Sequence, residues 1–136
     1  MDAGRGLKNP VLRNAFKKYI IYFKMLPKIN RLKKKKDFAL VFKKGEGFQN
    51  DFLFIKVAKN NLKSSRFGFI TSKSFSKKAV VRNKIKRRLR EIVRLNIEGI
   101  KKGIDIIFIA KSGLEKKTFS QTVQTVENLL KKGKLV

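Results

Sequence analysis

Apolar residues recur along this chain in three rhythms: helical, alternating and continuous. Leu32, Phe38, Val41 and Phe42 fall at helical spacing, and Lys33, Lys34, Lys35 and Lys36 crowd the first turns of that segment. Gly45 and Gly47, with Glu46 between them, predict where the helix ends. Residues 52–58 alternate instead and are rich in strand formers. Leu53, Ile55 and Val57 are expected on one face of a strand, and Phe52, Phe54 and Lys56 on the other. Residues 59–65 form a polar turn, and residues 66–71 then read as the partner strand of a hairpin. Residues 72–78 make a basic, serine-rich loop.

A second helix is expected from Ala79 to Asn96. Its apolar positions Val81, Ile85, Leu89 and Ile92 stand at i, i+4, i+8 and i+11, which is one helix face. Gly99 and Gly103 close that segment, and residues 105–110 are a continuous apolar run of the buried-strand type. Thr118 or Ser120 can cap a last helix whose apolar face is Val123, Val126, Leu129 and Leu130. The order helix, strands, helix, strand, helix predicts a small α/β sandwich, one sheet with helices packed on it. Residues 25–136 are expected to form a single domain. Residues 1–24 read as a flexible N-terminal extension with a basic, apolar patch at 11–24. That patch fits a short amphipathic helix lying on a membrane or on RNA, but is read in preference as a disordered extension, or as an upstream start with Met25 the real one.

Charge changes the picture from fold to partner. The chain carries 36 Lys and Arg against 9 Asp and Glu, a formal net charge of +27. A compact domain with that excess repels itself unless a polyanion neutralises it, and nucleic acid is the usual one. Absences narrow the chemistry. Without Cys there is no disulfide, zinc ribbon or thiol nucleophile, and without His the commonest general base is missing. The acids are scattered, so no cluster suited to a metal-dependent nuclease is visible. If the protein serves a reaction, the catalytic groups are expected to belong to something else. The most apolar stretch near the start, residues 19–23, is too short to span a membrane, and a cytoplasmic protein is the simplest reading.

The sharpest feature lies within the second helix. Arg82, Lys86 and Arg90 line up at i, i+4 and i+8 beside the buried face, and Asn83, Arg87 and Arg94 broaden the stripe. Cations at that density repel one another, and Glu91 is the only acid within reach. Phosphates relieve that repulsion through charge-assisted hydrogen bonds, for which Arg offers a bidentate fork. Phe52 and Phe54 sharing a face with Lys56, and Phe38 and Phe42 just upstream, add aromatic groups on which bases stack, although such spacings also suit a core.

The run Arg82-Asn83-Lys84-Ile85-Lys86-Arg87, preceded by Ser72-Lys73-Ser74 and Ala79-Val80, resembles the signature helix of bacterial ribonuclease P proteins. The segment Leu32 to Phe42, with Asp37-Phe38 and Val41-Phe42, is similar to that family's first helix. Arg66-Phe67-Gly68 and the late apolar strand follow in the expected order. The resemblance covers the chain from about Met25 onward. It departs at Lys84, where the signature prefers Arg, and at Lys56, where relatives often place an aromatic residue.

The resemblance implies a two-layer α/β (α+β) sandwich of about four strands and three helices in the order αβββαβα. It further implies a left-handed βαβ crossover, as in the second domain of ribosomal protein S5. Arg82, Asn83, Lys84, Lys86, Arg87 and Arg90 are then expected to bind RNA. Phe38, Phe42, Phe54 and Lys56 are expected to line a cleft for the single-stranded 5′ leader of precursor tRNA. The implied partners are the ribonuclease P RNA subunit and precursor tRNA, with neither a membrane nor a protein partner. The implied cofactor is Mg²⁺, held by RNA rather than by this chain. A purely structural RNA-binding protein, such as a ribosomal protein or RNA chaperone, shares the composition and stays open on composition alone.

Overall fold

A computed structural model describes residues 26–136. Its elements are α1 (Lys35–Lys44), β1 (Glu46–Gln49), β2 (Leu53–Lys59), β3 (Arg66–Ile70), α2 (Ala79–Asn96), β4 (Ile104–Ala110) and α3 (Phe119–Lys132), with single 3₁₀ turns between some of them. The four strands form one mixed sheet in the order β1-β2-β4-β3. β1 pairs antiparallel with β2, β2 antiparallel with β4, and β3 parallel with β4. α2 is the crossover that carries the chain from β3 to its parallel neighbour β4.

This topology corrects the hairpin expected for residues 52–71. β2 and β3 do not pair, because β4 lies between them. The short polar link at 59–65 looks like a hairpin turn but bridges a strand that is inserted later in the chain. The composition of β4 explains its place: a strand apolar on both faces is stable only between neighbours and layers, and six of its seven residues are buried.

The two faces of the sheet are covered unequally. Leu53 and Ile55 of β2, Phe67 of β3, and Ile104, Ile106, Phe108 and Ala110 of β4 face α2 and α3 in the main core. α2 contributes Ile85, Leu89, Ile92 and Val93, and α3 contributes Val126, Leu129 and Leu130. The helical period from Val81 to Ile92 dictates this packing, and α2 runs over the residues expected. α3 begins where its cap permits: Thr118 accepts from the Gln121 N–H at 3.1 Å, while the Gln121 side chain receives the Thr118 N–H at 2.9 Å. That reciprocal box selects Thr118 over Ser120 as the cap.

Among the described residues, α1 is the helix that covers the opposite face. Leu32, Val41 and Ile107 form a small second core there, with Phe38, Ala58, Ile70 and Ile109 packed against it. Leu32 was expected inside the helix, but α1 begins at Lys35. Leu32 instead lies extended beside β3, its N–H donating to the Phe67 carbonyl at 2.9 Å, while still burying its side chain under α1. Gly45 ends α1 as expected, yet the chain re-enters the sheet at once, so Glu46 and Gly47 open β1. Phe52 also departs from expectation. It precedes β2, packs toward the main core, and is covered by the Lys117 ammonium 4.3 Å from its ring centre.

Candidate nucleic-acid interface

α1 crosses its face of the sheet diagonally, and named contacts fix both of its ends. At the N-terminal end, Asp37 accepts from Arg66 Nη1 at 3.3 Å, and the Phe38 ring lies on the backbone of Gly68 in β3. At the C-terminal end, a side chain on Gly45 would meet the Val57 carbonyl at 2.9 Å and Lys56 Cγ at 3.1 Å, so that end rests against β2. Arg66 is the anchor of the arrangement. Its Nε and Nη2 donate to Asp105 Oδ1 and Oδ2 at 2.9 and 2.7 Å, a bidentate pair with a buried carboxylate. Asn60 Nδ2 donates to the same Oδ1 at 2.8 Å. The hydrogen bonds to Asp105, reinforced by the charges of Asp105 and Asp37, raise the Arg66 pKa above its already high ordinary value.

Beside this anchor, a groove of about 580 Å³ opens between the outer edge of β3 and α2. The extended segment before α1 forms its rim. Arg31 bridges to Phe67 there, and Arg31 Nε donates to the Leu26 carbonyl at 2.7 Å. Leu26, Leu32, Phe38, Phe67, Gly68 and Phe69 supply an apolar lining. Arg31, Lys33, Lys86, Arg87 and Arg90 supply cations, and Glu91 is the one acid in the lining. The spacing of Lys86, Arg87 and Arg90 along α2 explains why one helix turn delivers them together.

The helix-stripe residues therefore divide by position. Lys86, Arg87 and Arg90 face the groove. Asn83 and Lys84 are exposed one turn earlier. Arg82 is half-buried, and its Nη1 donates to the Ser76 carbonyl at 2.8 Å, tying the serine-rich loop to the start of α2. Phe75 anchors that loop in the core. The N-terminus of α2 has no side-chain cap and no acid in its first turn, so the positive end of the helix dipole adds to Lys77 and Lys78.

The aromatic residues divide too. Phe38 joins the cations of α2 in the groove. Phe54 and Lys56 lie on the same sheet face but over β2, with β4 between them and β3. Phe54 lies over Gly47, where a Cβ would stand 3.0 Å from its Cζ. Phe42 stands on α1 and is 43% exposed. Sequence patterning missed the groove-forming role of Arg31, Gly68 and Phe69. Ile29 and Leu32 stand three positions apart, so no period-two pattern marked the extended edge at Arg31 and Leu32. The patch at 11–24 and the extension at 1–24 lie outside the described residues.

Among the described residues, no three of His, Cys, Asp or Glu converge to hold a metal ion. Asp37 in α1 and Asp105 in β4 are both engaged by Arg66. The donor set among the described residues does not fit a protein-bound Mg²⁺. No helix among those residues is long and apolar enough to cross a membrane.

Residues 26–134 match the family model described as Ribonuclease P. The chain is 38% identical over 107 residues to the ribonuclease P protein component of Alkaliphilus metalliredigens, covering 79% of this chain and 96% of that one. The solved RNase P protein from Thermotoga maritima superposes with a TM-score of 0.69 at 38% identity, over 75% of this chain and 96% of that one. The solved Staphylococcus aureus RNase P protein gives 0.72 at 33% identity, over 78% and 96%.

Proposed function

The chain belongs to the ribonuclease P protein family, and we propose that it serves as the protein subunit that helps a catalytic RNA remove the 5′ leader of precursor tRNA. The observation that carries this reading is the groove in which Phe38 meets Lys86, Arg87 and Arg90, on a chain without a metal-binding cluster among its described residues. Such a surface is suited to holding RNA through stacking and phosphate contacts. Lys86, Arg87, Arg90 and the exposed Asn83 and Lys84 engage phosphates of the RNA subunit and nearby substrate. Arg82 contributes while holding the serine-rich loop in place. Phe38, Phe42, Phe54 and Lys56 border the sheet face along which the leader passes.

Hydrolysis is assigned to the RNA subunit with Mg²⁺ held by RNA. The protein's contribution is electrostatic and positional. Its cations offset the repulsion between two RNAs and so lower the Mg²⁺ concentration the complex needs. Its grip on the leader aligns the scissile phosphate, converting part of a bimolecular search into an oriented encounter. On this reading the protein works in the cytoplasm, with the RNA subunit and precursor tRNA as its partners. The reading is tested by comparing precursor and mature tRNA binding to the assembled ribonucleoprotein. Tighter binding of the precursor, dependent on leader length, is expected; equal binding with and without a leader contradicts it.

A further inference from the structure

Glu91 is out of place on a surface built only for phosphates. It lines the groove among Arg31, Lys33, Lys86, Arg87 and Arg90, and a carboxylate there repels a phosphate that approaches those cations. Its Oε1 accepts from Arg94 Nη2 at 3.0 Å, which fixes where the carboxylate stands. A carboxylate among cations is useful where the ligand also brings hydrogen-bond donors, as the edge of a nucleobase does. The rest of the groove suits the same ligand. The apolar lining around Phe38 and Gly68 offers a surface against which a base lies, and about 580 Å³ falls within the range of small-ligand sites.

We propose that this groove is a binding site for one unpaired nucleotide whose base presents donors, guanine above all. The base lies against Phe38, the N1–H and N2–H of guanine donate to Glu91, and Arg87 and Arg90 hold the adjoining phosphate. Uracil, with carbonyls flanking its single imino donor, cannot match the carboxylate in this way. The proposal rests on the RNA-binding reading above and adds to it a base preference at a defined place. The nucleotide belongs either to the leader or to the RNA subunit, since both supply the same chemistry.

The full chain is titrated with guanosine 5′-monophosphate, uridine 5′-monophosphate and ribose 5-phosphate, and the resonances of Phe38, Phe69 and Glu91 are followed by NMR. The expected result is a shift of these residues by the guanine nucleotide at a concentration about fivefold or more below that needed with the uracil nucleotide, the least discrimination a bidentate base contact gives. Ribose 5-phosphate should move the arginines without the Phe38 ring. Glu91→Gln keeps an oxygen for Arg94 but turns one acceptor into a donor, and it should abolish the guanine preference. Lys131→Ala, remote from the groove, should leave that preference intact. Equal response to the two nucleotides, or a guanine preference that survives Glu91→Gln, overturns the proposal. Salt-sensitive binding of ribonuclease P RNA, measured on the same samples, separates the two readings. If it persists while the base preference is absent, the groove proposal alone fails; if it is absent too, the RNA-binding reading fails with it. Repeating the Glu91→Gln comparison with leader oligonucleotides and with the RNA subunit identifies the source, as the one whose guanine-dependent binding falls.

Discussion

The Phe38 ring lies so close to Gly68 that a Cβ built on Gly68 would stand 2.5 Å from its Cζ and 2.7 Å from its Cε1. Real side-chain carbons do not approach that closely, so the missing side chain at Gly68 lets α1 settle onto β3 and delivers Phe38 to the groove. Gly68→Ala should push the ring outward and cost about 1–3 kcal/mol of stability, the usual penalty of overpacking. Urea unfolding measures this, and precursor affinity should fall with it. An unchanged unfolding midpoint would show that the ring is not seated where the structure places it.

Arg66 ties α1, β3 and β4 together through Asp37 and Asp105. Removing one partner of a buried pair leaves the other charged and poorly solvated, at a cost of about 3–5 kcal/mol. The Arg66 side chain keeps 24% of its exposure, so Arg66→Ala should fall toward the lower end of that range. Replacing Arg66 and Asp105 together should cost less than the sum of the single changes. Additive losses in that double-mutant cycle would mean that the pair is not coupled.

The cap of α3 offers a contrast. Thr118→Ala removes an acceptor for the Gln121 N–H and should destabilise the protein by about 1 kcal/mol. The cap is remote from the groove lining, so RNA affinity should not change once the fold is saturated. Thermal unfolding and filter binding read the two effects separately.

The groove cations act on RNA rather than on the fold. Arg87→Ala and Arg90→Ala should each weaken binding of the RNA subunit and lower the slope of log affinity against log salt by about 1. Both side chains are exposed, so unfolding midpoints should hardly move. The unmodified protein should lose on the order of 10³–10⁵ in affinity between 50 and 200 mM salt if it makes about 6–10 phosphate contacts. A flat salt dependence would remove the electrostatic account.

These outcomes depend on features of unequal legibility in the sequence. α2 was readable from Ala79 to Asn96 because its buried face repeats cleanly and its cations occupy the remaining faces. The order of strands was not, because strand pairing is set by which edges meet in space. The polar link at 59–65 has the length of a hairpin turn, and only the doubly apolar β4 hinted that it belongs between β2 and β3. Leu32 kept its helical spacing while lying outside the helix, since an extended segment can bury the same side chain under α1. The groove that Phe38 shares with Lys86, Arg87 and Arg90 brings together residues far apart in the chain, which no local pattern encodes.

The central claim is that this chain assists an RNA catalyst by electrostatics and positioning. The most direct measurement is cleavage of a 5′-extended precursor tRNA by a bacterial ribonuclease P RNA at low Mg²⁺, with and without the protein. The account predicts that the protein restores correctly placed cleavage and that Arg87→Ala weakens the rescue, most strongly at the lowest Mg²⁺. Absence of rescue, alongside equally tight binding to unrelated structured RNAs, would contradict it.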